Sequence, residues 1–408
     1  MADRSARSGN LSTHDHFSAR SLLYCSRGAK QSLTSWDLGI EPGGRILSDR
    51  IDVGVIGATG MVGSRLIALL REHPWFRLAE VGASQRSAGR TLADTLPPEE
   101  TDLPESILQL VLKEPGDTWA SKLILSALPA PVADQTEITL AEAGHVVVSN
   151  ASSHRMRPAV PLVIPEVNAG HVELVHNQPW SGSLVTNPNC VVAGLAMALA
   201  PLHRSFGIRR VMVTTFQAIS GAGRPGPEAD EVVDNVVPFI RGEEEKVARE
   251  PQKILGSTVA GGGDGRGVSG IVPADFPISA TCVRVPVSDG HLLSISVELG
   301  MKATPEEASA SLSGFASTVG EYGLPSAPAR ALVVTNIAGR PQPRLDRDAE
   351  GGMTVTVGRV RACDVLDLKF LALAHNLSRG AAGAALLNAE LCHATGVVST
   401  RGLEAAAQ

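Results

Sequence analysis

Between residues 51 and 149, short apolar runs alternate with stretches of helical period. Ile51-Asp-Val-Gly-Val-Ile56 is brief, β-branched and apolar, as strands buried on both faces are. From Ser64 to about Arg71 the period becomes helical, with Leu66, Leu69 and Leu70 expected inward. Arg77–Ala83 and Lys122–Ala127 read as further strands, a helix follows from about Val132 to Ala143, and His145–Ser149 makes one more strand. Strands alternating with helices predict an α/β fold with a parallel, doubly wound sheet. The middle of the chain differs in kind. Arg210–Gln217, Ile278–Pro286 and Leu292–Leu299 are longer strand candidates, which suits a mixed or antiparallel sheet in a second, α+β domain. Helices are expected over Val191–His203, Glu231–Ile240 and Pro305–Ser317. Gly261–Gly267 reads as a flexible loop, and a last Ala- and Leu-rich helix, about Arg379 to Ala394, is expected to pack back on the first domain. There is no repeat with the period of a solenoid.

Residues 1–50 stand apart. They are rich in Ser and Arg, lack an apolar period and carry the turn-forming Glu41-Pro42-Gly43-Gly44. No apolar core of a secretory signal is present, and Asp3, Asp15, Asp37 and Glu41 count against a transit peptide. A disordered extension is the expectation.

Composition narrows the function classes. Lys and Arg number 36 against 42 Asp and Glu, so there is no basic excess to suit a nucleic-acid backbone. No window approaches the ~18 uninterrupted apolar residues of a membrane span. The five cysteines, Cys25, Cys190, Cys282, Cys363 and Cys392, are scattered without a Cys-x-x-Cys pair. That argues against a disulfide framework or a metal site and for a cytoplasmic protein.

Gly57-x-x-Gly60-x-x-Gly63 lies directly between the first strand and the first helix. Glycines there let the backbone turn tightly and approach a diphosphate at the positive end of the helix, with Thr59, Met61 and Val62 in the same loop. The plain alternative is a turn that merely packs helix on strand. The end of the second strand selects the cofactor. An NAD site usually carries a carboxylate there for the ribose, whereas Ala83-Ser84-Gln85-Arg86-Ser87 offers two hydroxyls and a guanidinium. Those groups suit a 2′-phosphate, so NADP(H) is favoured.

Thr186-Asn-Pro-Asn-Cys190 breaks a strand and leads into an apolar helix. A thiol at a helix start feels the positive dipole end, which is expected to lower its pKa and supply a nucleophile. Cys282, Cys363 and Cys392 read instead as inert structural residues. Arg284-Val-Pro-Val-Ser-Asp-Gly-His291 sets a cation and an imidazole on either side of a Gly290 turn; if the flanking strands pair, both point into one cleft. In Gly242-Glu243-Glu-Glu-Lys246, Glu243 and Lys246 lie one turn apart on one helix face, either as a solvated helix start or as a grip on an ammonium and a phosphate.

These motifs together resemble the archaeal and fungal branch of the aspartate-β-semialdehyde dehydrogenases, from about Ile51 to Ala394. The resemblance rests on Gly57-Ala-Thr-Gly-Met-Val-Gly63, Arg86-Ser-Ala-Gly89, Asn187-Pro-Asn-Cys190, Gln217-Ala-Ile-Ser-Gly-Ala-Gly223, Pro238-Phe-Ile-Arg-Gly-Glu-Glu-Glu-Lys246, Arg284–His291 and Arg379-Gly-Ala-Ala-Gly383. It implies NADPH-dependent reduction of L-aspartyl-4-phosphate to L-aspartate-4-semialdehyde in lysine, threonine and methionine biosynthesis. By it, Cys190 attacks the acyl phosphate, Gln217 orients the thioester and His291 is the acid/base. Arg284 would hold the substrate carboxylate, Glu243 its amino group, and Lys246, Arg155 and Asn189 the phosphate. Ser220, Gly221 and Asn376 would line the cofactor. The implied organisation is an extension (1–50), a Rossmann-like domain (51–190, completed by 376–396), a catalytic and dimerisation domain (191–375) and a tail (397–408), assembled as a homodimer or homotetramer.

Three positions depart from the family pattern. Val191 and Val192 stand where Ser or Thr is common, Val283 replaces an Asn, and Asn376-Leu-Ser-Arg379 differs from the commoner Asn-Thr-aliphatic-Arg. They leave two other readings open: a reductase of another activated carboxylate such as malonyl-CoA, and a catalytically silent NADPH-binding paralogue. Glu243 separates the first of these, because it suits an α-amino group.

Overall fold

A computed structural model describes residues 50–224, 226, 229–261 and 267–398. The expected extension up to residue 49, residues 262–266 of the glycine-rich loop and residues 399–408 of the tail lie outside the described residues.

The first sheet has six strands: β1 (Ile51–Ile56), β2 (Phe76–Gly82), β3 (Leu112–Lys113), β4 (Leu123–Ser126), β5 (Val146–Ser149) and β6 (Ser183–Thr186). All pair in parallel, in the order β3-β2-β1-β4-β5-β6. β4 and β5 are buried at every position, as strands covered on both faces must be. Helix α1 (Met61–Leu70) covers one face and α2 (Ala130–Glu142) the other. On α1 the inward residues are Leu66, Ile67 and Leu70, while Leu69 is more than a third exposed, contrary to the pattern reading. At 100° per residue, positions 63, 66, 67 and 70 make one stripe and 69 falls beyond its edge.

The second sheet is mixed. Its strands are β7 (Ile208–Gln217), β10 (Ile278–Arg284), β11 (His291–Leu299), β12 (Leu332–Thr335), β13 (Val355–Ala362) and β14 (Leu368–Ala374), ordered β10-β7-β11-β14-β13-β12. A separate hairpin pairs β8 (Ser257–Ala260) with β9 (Val268–Val272). Against one face of the mixed sheet packs α3 (Cys190–Phe206), whose residues 191–202 are all buried. α4 (Glu243–Ile254) and α5 (Pro305–Ser313) join it. The opposite face carries Met212, Thr281 and Ser294, which are exposed.

Two expectations need correction here. The helix expected over Glu231–Ile240 is only four residues, Ala229–Val232. Asp234 adopts a positive φ of 55°, and Val237 instead bridges Arg284 as a short extension of the sheet. The helical signal belongs to the acidic run that follows, which opens α4 with three glutamates in its first turn. The helix begun at Pro305 stops at Ser313 before Gly314, four residues early.

α6 (Gly383–Ala394) returns to the first sheet and packs beside α1. It is entered through a π-turn, Ser378–Ala382, whose Gly380 N–H reaches His375 O. Among the described residues no helix is long and apolar enough to cross a membrane.

Candidate active site

Strand ends of the second sheet converge on the start of α3. β7 ends at Gln217 and β10 ends beside it at Arg284, which is its register partner. β11 begins at His291 on the other side of β7. The condition that the strands flanking Gly290 pair with each other is not met; β7 runs between them and contributes Gln217 to the group.

Cys190 is the first residue of α3. Asn189 caps the helix, its Oδ1 accepting from the Val191 and Val192 amides. The two valines where the family commonly has hydroxyls are fully buried in the core of the second sheet, so an apolar pair fits there. Cys190 Sγ lies 3.2 Å from His291 Nε2. The Ala218 amide donates to His291 Nδ1 at 3.0 Å. Arg284 Nη1 donates to Ala218 O at 2.8 Å, so one backbone unit positions both side chains.

The expected low thiol pKa is overturned. Burial pushes the Cys190 thiol up to about 12 and Glu243 adds to this, against opposing pulls from Arg155, Arg284 and Lys246. The helix dipole acts on a thiol that is partly withdrawn from solvent and faces the Glu243 carboxylate, and these outweigh it. Burial likewise pulls His291 down to about 3, helped by the positive field of Arg284 and by His375. Both shifts favour the neutral thiol and the neutral imidazole.

Glu243 is a hub. Its carboxylate accepts from Asn189 Nδ2 at 3.1 and 3.0 Å, from Gln217 Nε2 at 3.3 Å and from Lys246 Nζ at 2.8 Å. Arg155 stands one layer back and is buried. It donates through Nε to Asn187 O, through Nη2 to Asn150 O and through Nη1 to Glu250. Glu250 also accepts the Asn189 amide at 2.7 Å. The sequence reading missed Glu250 and Lys253, whose ammonium donates to the carbonyls of Arg155, Arg157 and Val160. The signal was present: Glu243, Val247, Glu250 and Ile254 share one helical face, so a charged residue on an apolar stripe marks a buried partner.

The first sheet brings the glycine loop to the same end. Gly57 has φ +81°, and a Cβ on Gly63 would lie 2.1 Å from Gly57 O, so the turn requires glycine at both of these positions. Gly60 caps α1 without a side-chain hydrogen bond, which leaves its first amides for an anion. Thr59, Met61 and Val62 are partly exposed around it, and Ser84 and Arg86 are exposed past the end of β2 with Ser87 half-buried. These features fit a dinucleotide with a 2′-phosphate. Asn376 donates to Ser220 Oγ at 2.8 Å and accepts the Gly290 amide, joining that pair to the site. Gly221 lies beside the His291 ring.

Cys282 and Cys392 are buried, whereas Cys363 is partly exposed just past β13; Cys25 lies outside the described residues.

Two family models match the chain: the semialdehyde dehydrogenase NAD binding domain over residues 52–175 and the semialdehyde dehydrogenase dimerisation domain over residues 199–379. The chain is 45% identical over 350 residues to an aspartate-semialdehyde dehydrogenase of Archaeoglobus fulgidus, covering 84% of this chain and 98% of that one. It is 41% identical over 358 residues to that of Schizosaccharomyces pombe, covering 85% and 99%. Among solved structures, the Candida albicans aspartate semialdehyde dehydrogenase with NADP superposes with a TM-score of 0.77 at 38% identity, covering 86% of this chain and all of that one. A Vibrio cholerae aspartate semialdehyde dehydrogenase II complexed with ASA gives 0.68 at 25% identity, covering 84% and 98%.

Proposed function

The chain belongs to the aspartate-semialdehyde dehydrogenase family, and on that premise we propose that Cys190 is its nucleophile in the NADPH-dependent reduction of L-aspartyl-4-phosphate to L-aspartate-4-semialdehyde. The observation that carries the assignment is the 3.2 Å contact between Cys190 Sγ and His291 Nε2 at a helix start. Attack on the acyl phosphate forms a thioester and releases phosphate, dividing the reaction into two accessible steps. NADPH, when bound, supplies the hydride that reduces the acyl carbon.

The chain's own residues do the rest. Gln217 orients the thioester, Arg284 takes the substrate carboxylate on its fork, and Glu243 holds the amino group. Lys246 faces the phosphate, while Arg155 and Asn189 shape that side through Glu250 and Glu243. The Gly57–Gly63 loop holds the diphosphate and Ser84, Arg86 and Ser87 the 2′-phosphate; Ser220, Gly221 and Asn376 lie toward the nicotinamide end. A carboxylate hub suits an ammonium-bearing substrate and gives malonyl-CoA no partner. The open face of the second sheet is assigned to a homodimer, or a homotetramer built from it, and the compartment to the cytoplasm.

The test is reduction of NADP⁺ by aspartate semialdehyde with and without phosphate. Phosphate-dependent turnover preferring NADP⁺ is expected, with Cys190→Ala inactive yet binding NADPH unchanged. Turnover by Cys190→Ala overturns the reading.

A further inference from the structure

Arg155, in the loop beyond β5, is anchored by two residues of α4. Lys253 fixes its main chain: the buried ammonium donates to the carbonyls of Arg155, Arg157 and Val160 at 2.7, 2.8 and 2.7 Å. Glu250, one turn earlier on the same helix, fixes its side chain by accepting from Nη1 at 2.9 Å. Nε and Nη2 donate to Asn187 O at 2.8 Å and Asn150 O at 2.6 Å, carbonyls just past β6 and β5. These bonds engage three of the five guanidinium hydrogens and leave one on each Nη. The Arg155 and Glu250 side chains are only 7% and 3% exposed, so either one without the other would be a buried charge left uncompensated.

The same carboxylate has a second duty. Its Oε2 accepts the Asn189 amide at 2.7 Å while Oε1 holds Arg155. Asn189 caps α3 and donates through Nδ2 to Glu243, the carboxylate paired with Lys246. Of the three residues that the family resemblance gives to the phosphate, Glu250 therefore bonds two directly and reaches the third through Glu243.

We propose that Glu250 is a positioning residue for phosphate: acting through Arg155 and Asn189, it sets the two at the spacing where one tetrahedral oxyanion meets both. The proposal rests on the aspartyl-phosphate reading of the site and carries it one layer outward. The competing account is a purely structural buried ion pair, and chemistry separates the two. A carboxylate accepts on both oxygens, whereas a glutamine accepts on one and presents N–H at the other. Glu250→Gln thus keeps the volume and loses one of the two bonds whichever way its amide turns. The bond lost belongs in either case to a phosphate-side residue. A purely structural role predicts instead a general loss of stability and turnover, without preference for one substrate.

The experiment is NADP⁺ reduction by aspartate semialdehyde with inorganic phosphate varied, on the full-length protein. In Glu250→Gln the KM for phosphate is expected to rise roughly tenfold or more, with KM for aspartate semialdehyde and for NADP⁺ within about twofold. Arg155→Lys keeps the charge but not the fork, and the double variant is expected to lose less than the product of the two single effects. An unchanged KM for phosphate, an equal rise in all three KM values, or a double variant that equals the product overturns the proposal. Glu250→Asp keeps the charge one methylene further back and is expected to fall between wild type and Glu250→Gln. It carries the comparison where Glu250→Gln does not fold; failure of both to fold assigns Glu250 to stability and overturns the proposal. A wild-type enzyme without phosphate-dependent turnover defeats the aspartyl-phosphate reading itself. A wild type that responds to phosphate, beside a Glu250→Gln with the same KM for it, defeats only the role of Glu250.

Discussion

Gly380→Ala tests how closely the start of the last helix is fitted to the nucleophile. A Cβ at residue 380 would lie 2.7 Å from Cys190 Cβ, 2.9 Å from its Cα and 3.0 Å from its carbonyl oxygen. Ordinary contact begins at 3.4 Å, so about 0.7 Å of separation must be found. The π-turn has little room to retreat. Arg379 ties it down by donating to buried Glu166 at 2.6 Å and to Met353 O, and Asn187 Nδ2 donates to Ala381 O. Cys190 must therefore move, taking the Sγ–His291 contact with it. Misplacement approaching 1 Å costs on the order of 10²-fold in rate, and overpacking costs about 1–3 kcal/mol in stability. Steady-state kinetics beside urea denaturation separate the two effects. The expected outcome is a kcat lowered by about one to two orders of magnitude in a folded protein, with NADPH affinity unchanged. Gly170→Ala, which meets nothing within 4 Å, is the matched control. A Gly380→Ala enzyme with the kcat of that control refutes the reasoning.

Two further outcomes are expected. Burial raises the Glu80 carboxyl, but hydrogen bonds from Lys113, Ser121 and Ala120 outweigh this and hold it down to about 2, against an ordinary 4.5. A depressed folded-state value means the stabilisation is complete above about pH 4.5 and disappears as pH falls through about 2. Glu80→Gln should therefore cost about 1.5–3 kcal/mol at neutral pH and flatten the acid dependence in that window, read as urea midpoints against pH. Equal acid slopes in both proteins would count against it. Arg86→Ala should raise KM for NADP⁺ by roughly tenfold or more while leaving KM for NAD⁺ little changed, since only the former carries the 2′-phosphate; a parallel rise for both would place Arg86 elsewhere.

The sequence by itself determined four of the six strands of the first sheet, β1, β2, β4 and β5, and left out the two edge strands β3 and β6. Buried parallel strands and amphipathic helices leave periods that one chain displays locally, and the Gly57–Gly63 turn is fixed by backbone geometry that only glycine meets. Turn and helix-start patterns also named Cys190, Arg284 and His291, while Gln217 was named only by the family resemblance. What it left undetermined is nonlocal. β12, β13 and β14 escaped pattern reading, and β7's place between β10 and β11 is a matter of pairing between residues 67 to 91 apart in the chain. Tertiary structure alone set the direction in which the Cys190 pKa shifts. The helix start argues for a low pKa, but burial and Glu243, brought in from α4, reverse the sign. It also decided that Arg155 turns inward to Glu250 rather than standing open at the site, and that Ala218's amide meets His291 Nδ1. Local patterns record which faces are covered. They carry no record of which charge or amide ends up a few ångströms away, and in a desolvated site that distance sets the chemistry.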